Sequence, residues 1–143
     1  QYDVLFDKCR EIPNINYKGY APNDEVREAL MKSHIFAYPC IFEETSCLSA
    51  IEAMAAGCKV VTTNYGVLPE TCGEFATYIE FEPNVQRLIA NYADTLNKVM
   101  NQMGSDETQD DLLTQINHIN KAWSVKYRIK EWEAFLADAS PNV

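Results

Sequence analysis

Ile35-Phe36-Ala37-Tyr38-Pro39 and, one helix-length further on, Val60-Val61-Thr62-Thr63 decide the fold of this chain. Each is a short, continuous apolar or β-branched run bounded by a breaker. Runs of this kind are strands buried on both faces of a parallel sheet. Between them Leu48, Ile51 and Ala55 recur at helical spacing, and Gly57 follows as a stop signal. Strand, helix, strand in this order predicts a parallel α/β unit with helices on both faces, a Rossmann-like sheet. Ligands of such folds bind beyond the carboxyl ends of the strands, in loops that lead into helices. The loop from Pro39 to Leu48, with Glu43, Glu44 and Thr45, occupies that position.

Working outward, residues 2–11 carry apolar side chains at roughly helical spacing, and Pro13 closes them. Residues 15–20, Ile-Asn-Tyr-Lys-Gly-Tyr, alternate with period two and read as a short strand. Pro22-Asn23-Asp24 supplies a turn and an N-cap for a helix marked by Val26, Ala29 and Leu30. Asn64-Tyr65-Gly66 is a turn, and residues 76–81 read as another strand. Three amphipathic helices follow. Val85, Leu88, Ile89, Tyr92, Leu96, Val99 and Met103 mark the first, and Leu112, Leu113 and Ile116 the second. Val125, Ile129, Trp132 and Leu136 mark the third.

The chain has 143 residues, 47% of them hydrophobic and 23% charged, which suits one globular domain with a full core. No apolar run is long enough to cross a membrane as a helix. The formal net charge is −9 and no dense Lys/Arg run occurs, which argues against nucleic-acid binding. Lys121, Lys126, Arg128 and Lys130, interleaved with Trp123, Tyr127 and Trp132, read as the solvated face of a helix. The cysteines are Cys9, Cys40, Cys47, Cys58 and Cys72. Their odd number and the lack of C-x-x-C spacing fit reduced, mostly buried thiols and a cytosolic setting. His34 and His118 lie far apart, so no zinc site is expected.

Glu44 and Glu52 stand eight residues apart. A fully helical span would separate them by about 12 Å along the axis. That exceeds the roughly 5–9.5 Å between the paired carboxylates of glycoside hydrolases. It suits two contacts on one extended ligand. A helix N-terminus near Ser46 and Cys47 lies between them and favours a phosphate. Hydroxyls, then phosphate, then hydroxyls is the layout of a nucleotide diphosphate sugar. A plainer reading also fits the spacing: Glu44 is favourable near a helix start, and Glu52 suits a solvated helix face.

The surrounding residues turn the balance. Tyr38-Pro39, the run from Glu44 through Glu52 to Ala53-Met54-Ala55-Ala56-Gly57, Val60-Val61-Thr62, and Gly66-Val67-Leu68-Pro69-Glu70 occur in this order. Together they resemble the donor-binding half of retaining glycosyltransferases of the GT-B fold, glycosyltransferase family 4. The likeness is strongest over residues 35–75. It continues through residues 14–34, and Ala122-Trp123-Ser124 with the helix bearing Trp132 is similar to the way such domains close.

The resemblance implies the C-terminal half of a GT-B fold. Residues 1–143 would be a single nucleotide-sugar-binding domain, a piece of a longer two-domain protein. Glu44 takes the catalytic position, contacting hydroxyls of the donor sugar, and Glu52 accepts hydrogen bonds from the nucleotide ribose. Backbone N–H groups at Ser46, Cys47 and Leu48 hold the diphosphate, Thr45 beside them belongs to the same substrate-binding set, and Tyr20 and Ala21 lie near the base. Glu70 fits a later loop glutamate with a structural role. No cofactor and no metal are implied. The partners are a nucleotide-sugar donor and an acceptor glycan or lipid, the latter read by a missing N-terminal domain. The full-length protein would be cytoplasmic and peripheral at the membrane, serving polysaccharide assembly.

Three departures from the family pattern matter. Thr45 and Cys47 stand where glycines are common, which narrows the choice of donor or marks a subgroup. Cys47 reads as a small space-filler rather than a nucleophile, since no His or Arg is near enough in sequence to make it a thiolate. The Gly-rich loop with the Arg and Lys that neutralise the diphosphate in the family is not found within residues 1–143. The chain alone is therefore expected to bind donor weakly and not to turn over, and an inactive binding or interaction module of the same fold stays in play. So does an exposed sheet edge that pairs with a second copy. An epimerase would be expected to carry a His-containing site, and only His34 is near. A phosphorylase-like enzyme needs a lysine for pyridoxal phosphate, which no segment suggests.

Overall fold

A computed structural model describes residues 2–139. Three strands, β1 (Ile35–Tyr38), β2 (Lys59–Thr63) and β3 (Thr77–Ile79), form a parallel sheet in the order β1-β2-β3. Ile35 stands opposite Lys59 and Tyr38 opposite Thr62, while Val61 pairs with Thr77 and Thr63 with Ile79. Among the described residues seven α-helices, with a 3-10 turn at Gly73–Phe75, accompany the sheet: α1 (Asp3–Glu11), α2 (Asn23–Met31), α3 (Leu48–Ala55), α4 (Leu68–Cys72), α5 (Val85–Gln102), α6 (Asp106–Ala122) and α7 (Val125–Ala139).

Successive strand residues point to opposite faces, and the core divides accordingly. Val60 and, less deeply, Phe36 and Tyr38 face a cluster built with Leu30, Ala50, Ile51, Met54, Leu68 and Ile119, from α2, α3, α4 and α6. Val61 and Ile79 face Leu88, Tyr92 and Val99 of α5. Helices thus cover both faces, as the sequence predicts. Val60, Val61, Thr62 and Thr63 are buried, so the central strand is the doubly covered one.

Ala-rich α3 is the helix nearest the centre. Ala50 and Ala53 are wholly buried beside Met54, small enough to let the helix approach β2 and α6 closely. Gly57 ends it at φ +88°, where a Cβ would lie 3.2 Å from Ile116 Cδ1. The side-chain amide of Gln115, on α6, then donates to the carbonyls of Met54 (3.0 Å) and Cys58 (3.1 Å). Buried carbonyls beyond the reach of water need such donors.

Several expectations are corrected. Residues 15–20 form no strand: the stretch finds no ladder partner among the described residues, and Gly19 at φ +65° breaks its extension. β1 is an edge strand with Ala37 exposed and its other residues half-buried, not a strand covered on both faces. β3 spans only the three residues that β2 can pair. Leu48 is 68% exposed, so the buried stripe of α3 is Ala50, Ile51, Ala53 and Met54. The cap position of α2 is Pro22, with no side-chain hydrogen bond. Leu68–Cys72, where the sequence pattern assigns no element and only Glu70 reads as a loop residue, is a short helix with Pro69 in its first turn, where the missing N–H costs nothing. α7 forms where the pattern places it, yet none of its residues is buried.

Candidate functional site

The connections that leave β1 and β2 at their carboxyl ends meet on one side of the sheet. The hydroxyl of Thr62 donates to the Tyr38 carbonyl at 2.8 Å, and that of Thr63 to the Cys40 carbonyl at 2.6 Å. The Val67 N–H donates to the Glu44 carbonyl at 3.2 Å. Gly66, at φ +59°, fits against this loop so closely that a Cβ would lie 3.0 Å from the Glu44 nitrogen. The backbone up to Glu44 is therefore tied to the end of β2.

The side chain of Glu44 is held as firmly. Its Oε1 accepts from the hydroxyl of Tyr38, and the Cys40 thiol lies 3.8 Å from the same oxygen. This bond to Glu44, followed by burial, holds the Tyr38 phenol protonated well above its ordinary range. Cys47 is 3% exposed, and its thiol is pushed up to about 11, first by burial and further by Glu44 beside it. A thiol so protected is a poor nucleophile at neutral pH, in line with its reading as a space-filler. All five cysteines are free, and four are buried.

Cys47 occupies the N-cap position of α3 without a side-chain cap bond. The first-turn N–H groups at Leu48 and Ser49 have no partner within the helix. Thr45 and Ser46 are exposed just before them. The span from Glu44 to Glu52 is helical only from Leu48 on, so the fully helical separation does not apply. Glu52 lies on α3 with its side chain 48% exposed, and Oε1 sits 3.7 Å from Nη2 of Arg27 on α2. Arg27 and Glu52, with Leu30, Met31, Ala55 and Ala56, line an open hollow of about 500 Å³ between α2 and α3.

The structure thus brings Glu44, Thr45, Ser46, Cys47 and Leu48 together at the start of α3, with Glu52 further along the same helix. Tyr20, 97% exposed, and half-buried Ala21 precede α2. No bond ties either of them to Glu44 or Glu52. Glu70 is exposed on α4. Two neighbours escaped the sequence reading: Tyr38, whose hydroxyl reaches Glu44, and Arg27, whose guanidinium reaches Glu52. An aromatic with a polar tip before Pro39 and a cation on the helix preceding β1 were the available signals. Among the described residues no group of three His, Cys, Asp or Glu is arranged to hold a metal ion. No described helix is long and apolar enough to cross a membrane.

Fold and site together define a Rossmann-like α/β domain, consistent with one half of a GT-B fold. The segment from the end of β1 to the start of α3 presents carboxylates, and the first turn of α3 has backbone N–H groups without partners within the helix. The chain belongs to the group 1 glycosyltransferases: the family model described as "Glycosyl transferases group 1" matches residues 2–113. Membership implies glycosyl transfer between a nucleotide-sugar donor and an acceptor. No curated protein and no solved structure gives a significant match.

Proposed function

We propose that this chain is the donor-binding domain of a retaining family 4 glycosyltransferase, taking a nucleotide diphosphate sugar at the start of α3. The observation that carries this reading is the uncapped N-terminus of α3, flanked by Glu44 in the loop before it and Glu52 on the helix itself. Free N–H groups and the positive end of the helix dipole favour the diphosphate. Glu44 accepts from hydroxyls of the donor sugar and Glu52 from those of the ribose, with Tyr20 and Ala21 toward the base. As the sugar leaves, the N–H groups at Ser46, Cys47 and Leu48 stabilise the charge growing on the diphosphate.

Among the described residues Arg27 alone is paired with a site carboxylate, and none of their cations pairs with Glu44. The departing diphosphate therefore needs positive charge from elsewhere, and the acceptor, glycan or lipid, needs a second domain. We assign the charge to a Gly-rich loop bearing an Arg and a Lys at the start of the donor domain, upstream of this segment, and the acceptor to an N-terminal domain of a longer cytoplasmic protein, peripheral at the membrane and active in glycan or polysaccharide assembly. The chain alone is then a weak donor binder without turnover. The scarcity of cations also favours a second reading, a module of this fold that has lost catalysis.

Calorimetric titration of the chain, the full-length protein and their Glu52→Ala variants with UDP, GDP and ADP tests the proposal. One nucleotide should bind, and Glu52→Ala should weaken it by about tenfold or more, as loss of a charged hydrogen-bond partner does. Silence of the full-length protein with all three nucleotides would sink the donor site. Nucleotide binding by the full-length protein without sugar transfer to any acceptor would favour the inactive module.

A further inference from the structure

We propose that Tyr38 is a positioning residue for Glu44, committing one carboxylate oxygen so that the other meets a single hydroxyl of the ligand. The inference rests on the reading of this site as a donor site. Tyr38 ends β1, and its ring is stacked on Phe36 at 5.6 Å between centroids, with the planes 18° apart. That packing, and the bond from Thr62 to the Tyr38 carbonyl, fix where the phenol points. It points at Glu44 Oε1; the buried Cys40 thiol lies 3.8 Å from that oxygen and 3.3 Å from the Phe42 carbonyl.

A glutamate free in solution rotates about three bonds, and a ligand that uses it must stop that rotation. Here the rotation is stopped before any ligand arrives, which lowers the entropic cost of recognition. The same bonds limit what the carboxylate can do. An unrestrained carboxylate can accept from two neighbouring hydroxyls, one on each oxygen. With Oε1 carrying the Tyr38 bond, Oε2 is the oxygen left free for a sugar. Glu44 in this chain therefore reads one hydroxyl ahead of its neighbour. Tyr38 sets that restriction without touching the ligand.

Two measurements test this. The first is an alkaline titration of protein labelled with ¹³C at tyrosine Cζ. One resonance, missing from Tyr38→Phe, should stay protonated after the exposed tyrosines have ionised, and in Glu44→Gln it should ionise closer to them. A Tyr38 signal that titrates with the exposed tyrosines in the wild type overturns the contact and the proposal with it. The second is calorimetry with UDP, GDP and ADP against UDP-glucose, GDP-mannose and ADP-glucose. Tyr38→Phe should leave the affinity for the preferred free nucleotide within about twofold. It should reduce the extra affinity conferred by the sugar by about three- to tenfold, the worth of one hydrogen bond. Glu44→Gln should remove most of that extra affinity. A merely structural tyrosine would weaken nucleotide and nucleotide sugar alike, and that result overturns the proposal, as does an unchanged sugar increment. A wild-type full-length protein that binds no nucleotide, with the Tyr38 contact intact by NMR, refutes the donor site and the role derived from it, but not the contact.

Discussion

Replacing Gly66 by alanine should destabilise the domain through the loop that carries Glu44. The backbone there has φ +59°, and an alanine in the left-handed region costs roughly 1–2 kcal/mol. The new methyl would also sit 3.0 Å from the Glu44 nitrogen and 3.3 Å from both Glu43 Cα and the Glu44 carbonyl oxygen. These are backbone atoms, tied through Thr62, Thr63 and Val67, so they yield little, and overpacking of this kind adds about 1–3 kcal/mol. The sum is about 2–5 kcal/mol, which lowers Tm by roughly 5–15 °C for a domain of this size. Gly19→Ala is the control. Its φ is +65°, yet the nearest atom to a Cβ is Tyr17 Cε1 at 3.9 Å, so it carries the backbone cost alone. Urea and thermal unfolding followed by circular dichroism measure both variants. If Gly66→Ala loses no more stability than Gly19→Ala, the close approach of the two loops contributes nothing and the reasoning fails.

Gln115→Leu removes the side-chain donor to the carbonyls of Met54 and Cys58, leaving Met54 the Gly57 N–H, and should cost about 1–3 kcal/mol in urea unfolding; a loss below about 0.5 kcal/mol would mean that water replaces the amide. Alkaline pH should also weaken the fold. Tyr78, Tyr92 and Cys72 are pushed up to about 12, and Cys47 to about 11, chiefly by burial, from ordinary values of 10.0 for the phenols and 9.0 for the thiols. Between those limits the unfolded chain releases protons that the fold retains. Stability is therefore full below about pH 9 and falls as pH rises toward 12. Tyr92→Phe removes the hydroxyl that donates to Val61 at 2.7 Å, so it should lower stability at pH 7 and flatten the decline between pH 10 and 12. An unchanged slope in denaturation series across that range would exclude Tyr92 as a contributor.

The centre of the fold was legible because its signals are local and agree with one another. Val60-Val61-Thr62-Thr63 is apolar or β-branched throughout, the residues of α3 are good helix formers, and Gly57 takes the positive φ expected of a stop. Residues 15–20 show the limit of such signals. Their alternation is genuine, but a strand also needs a neighbour at hydrogen-bonding distance, which no pattern within six residues encodes. The short helix Leu68–Cys72 was hidden by its length, since five residues carry barely more than one turn of periodicity. In α7 the amphipathic pattern correctly predicts the helix, while its apolar side chains remain exposed, because periodicity specifies a face and not what covers it.

At the candidate site, the sequence points to Glu44, Glu52 and the start of α3 through the surrounding residues and the family they resemble, since their spacing alone also fits a plainer reading. It does not disclose the partners of the two carboxylates. Tyr38 reaches Glu44 across the turn made by Pro39, and Arg27 reaches Glu52 from a different helix. Such pairings depend on where side chains converge in space. Charge counting alone therefore misses that one carboxylate is held by neutral donors and the other by a cation.

The stitching of residues 38–44 to the end of β2 has a consequence for how this site can diversify. Bonds from Thr62, Thr63 and Val67, and the fit of Gly66, make the segments after β1 and β2 one mechanical unit. An insertion or deletion in either segment would pull its partner out of register, so neither can change length alone. Thr45 and Ser46 lie just past the last of these ties and are exposed. Variation in sequence is cheapest there, beside the helix start, so on the proposed donor reading new ligand preferences are open to this scaffold by exchanging two side chains while both loops keep their lengths.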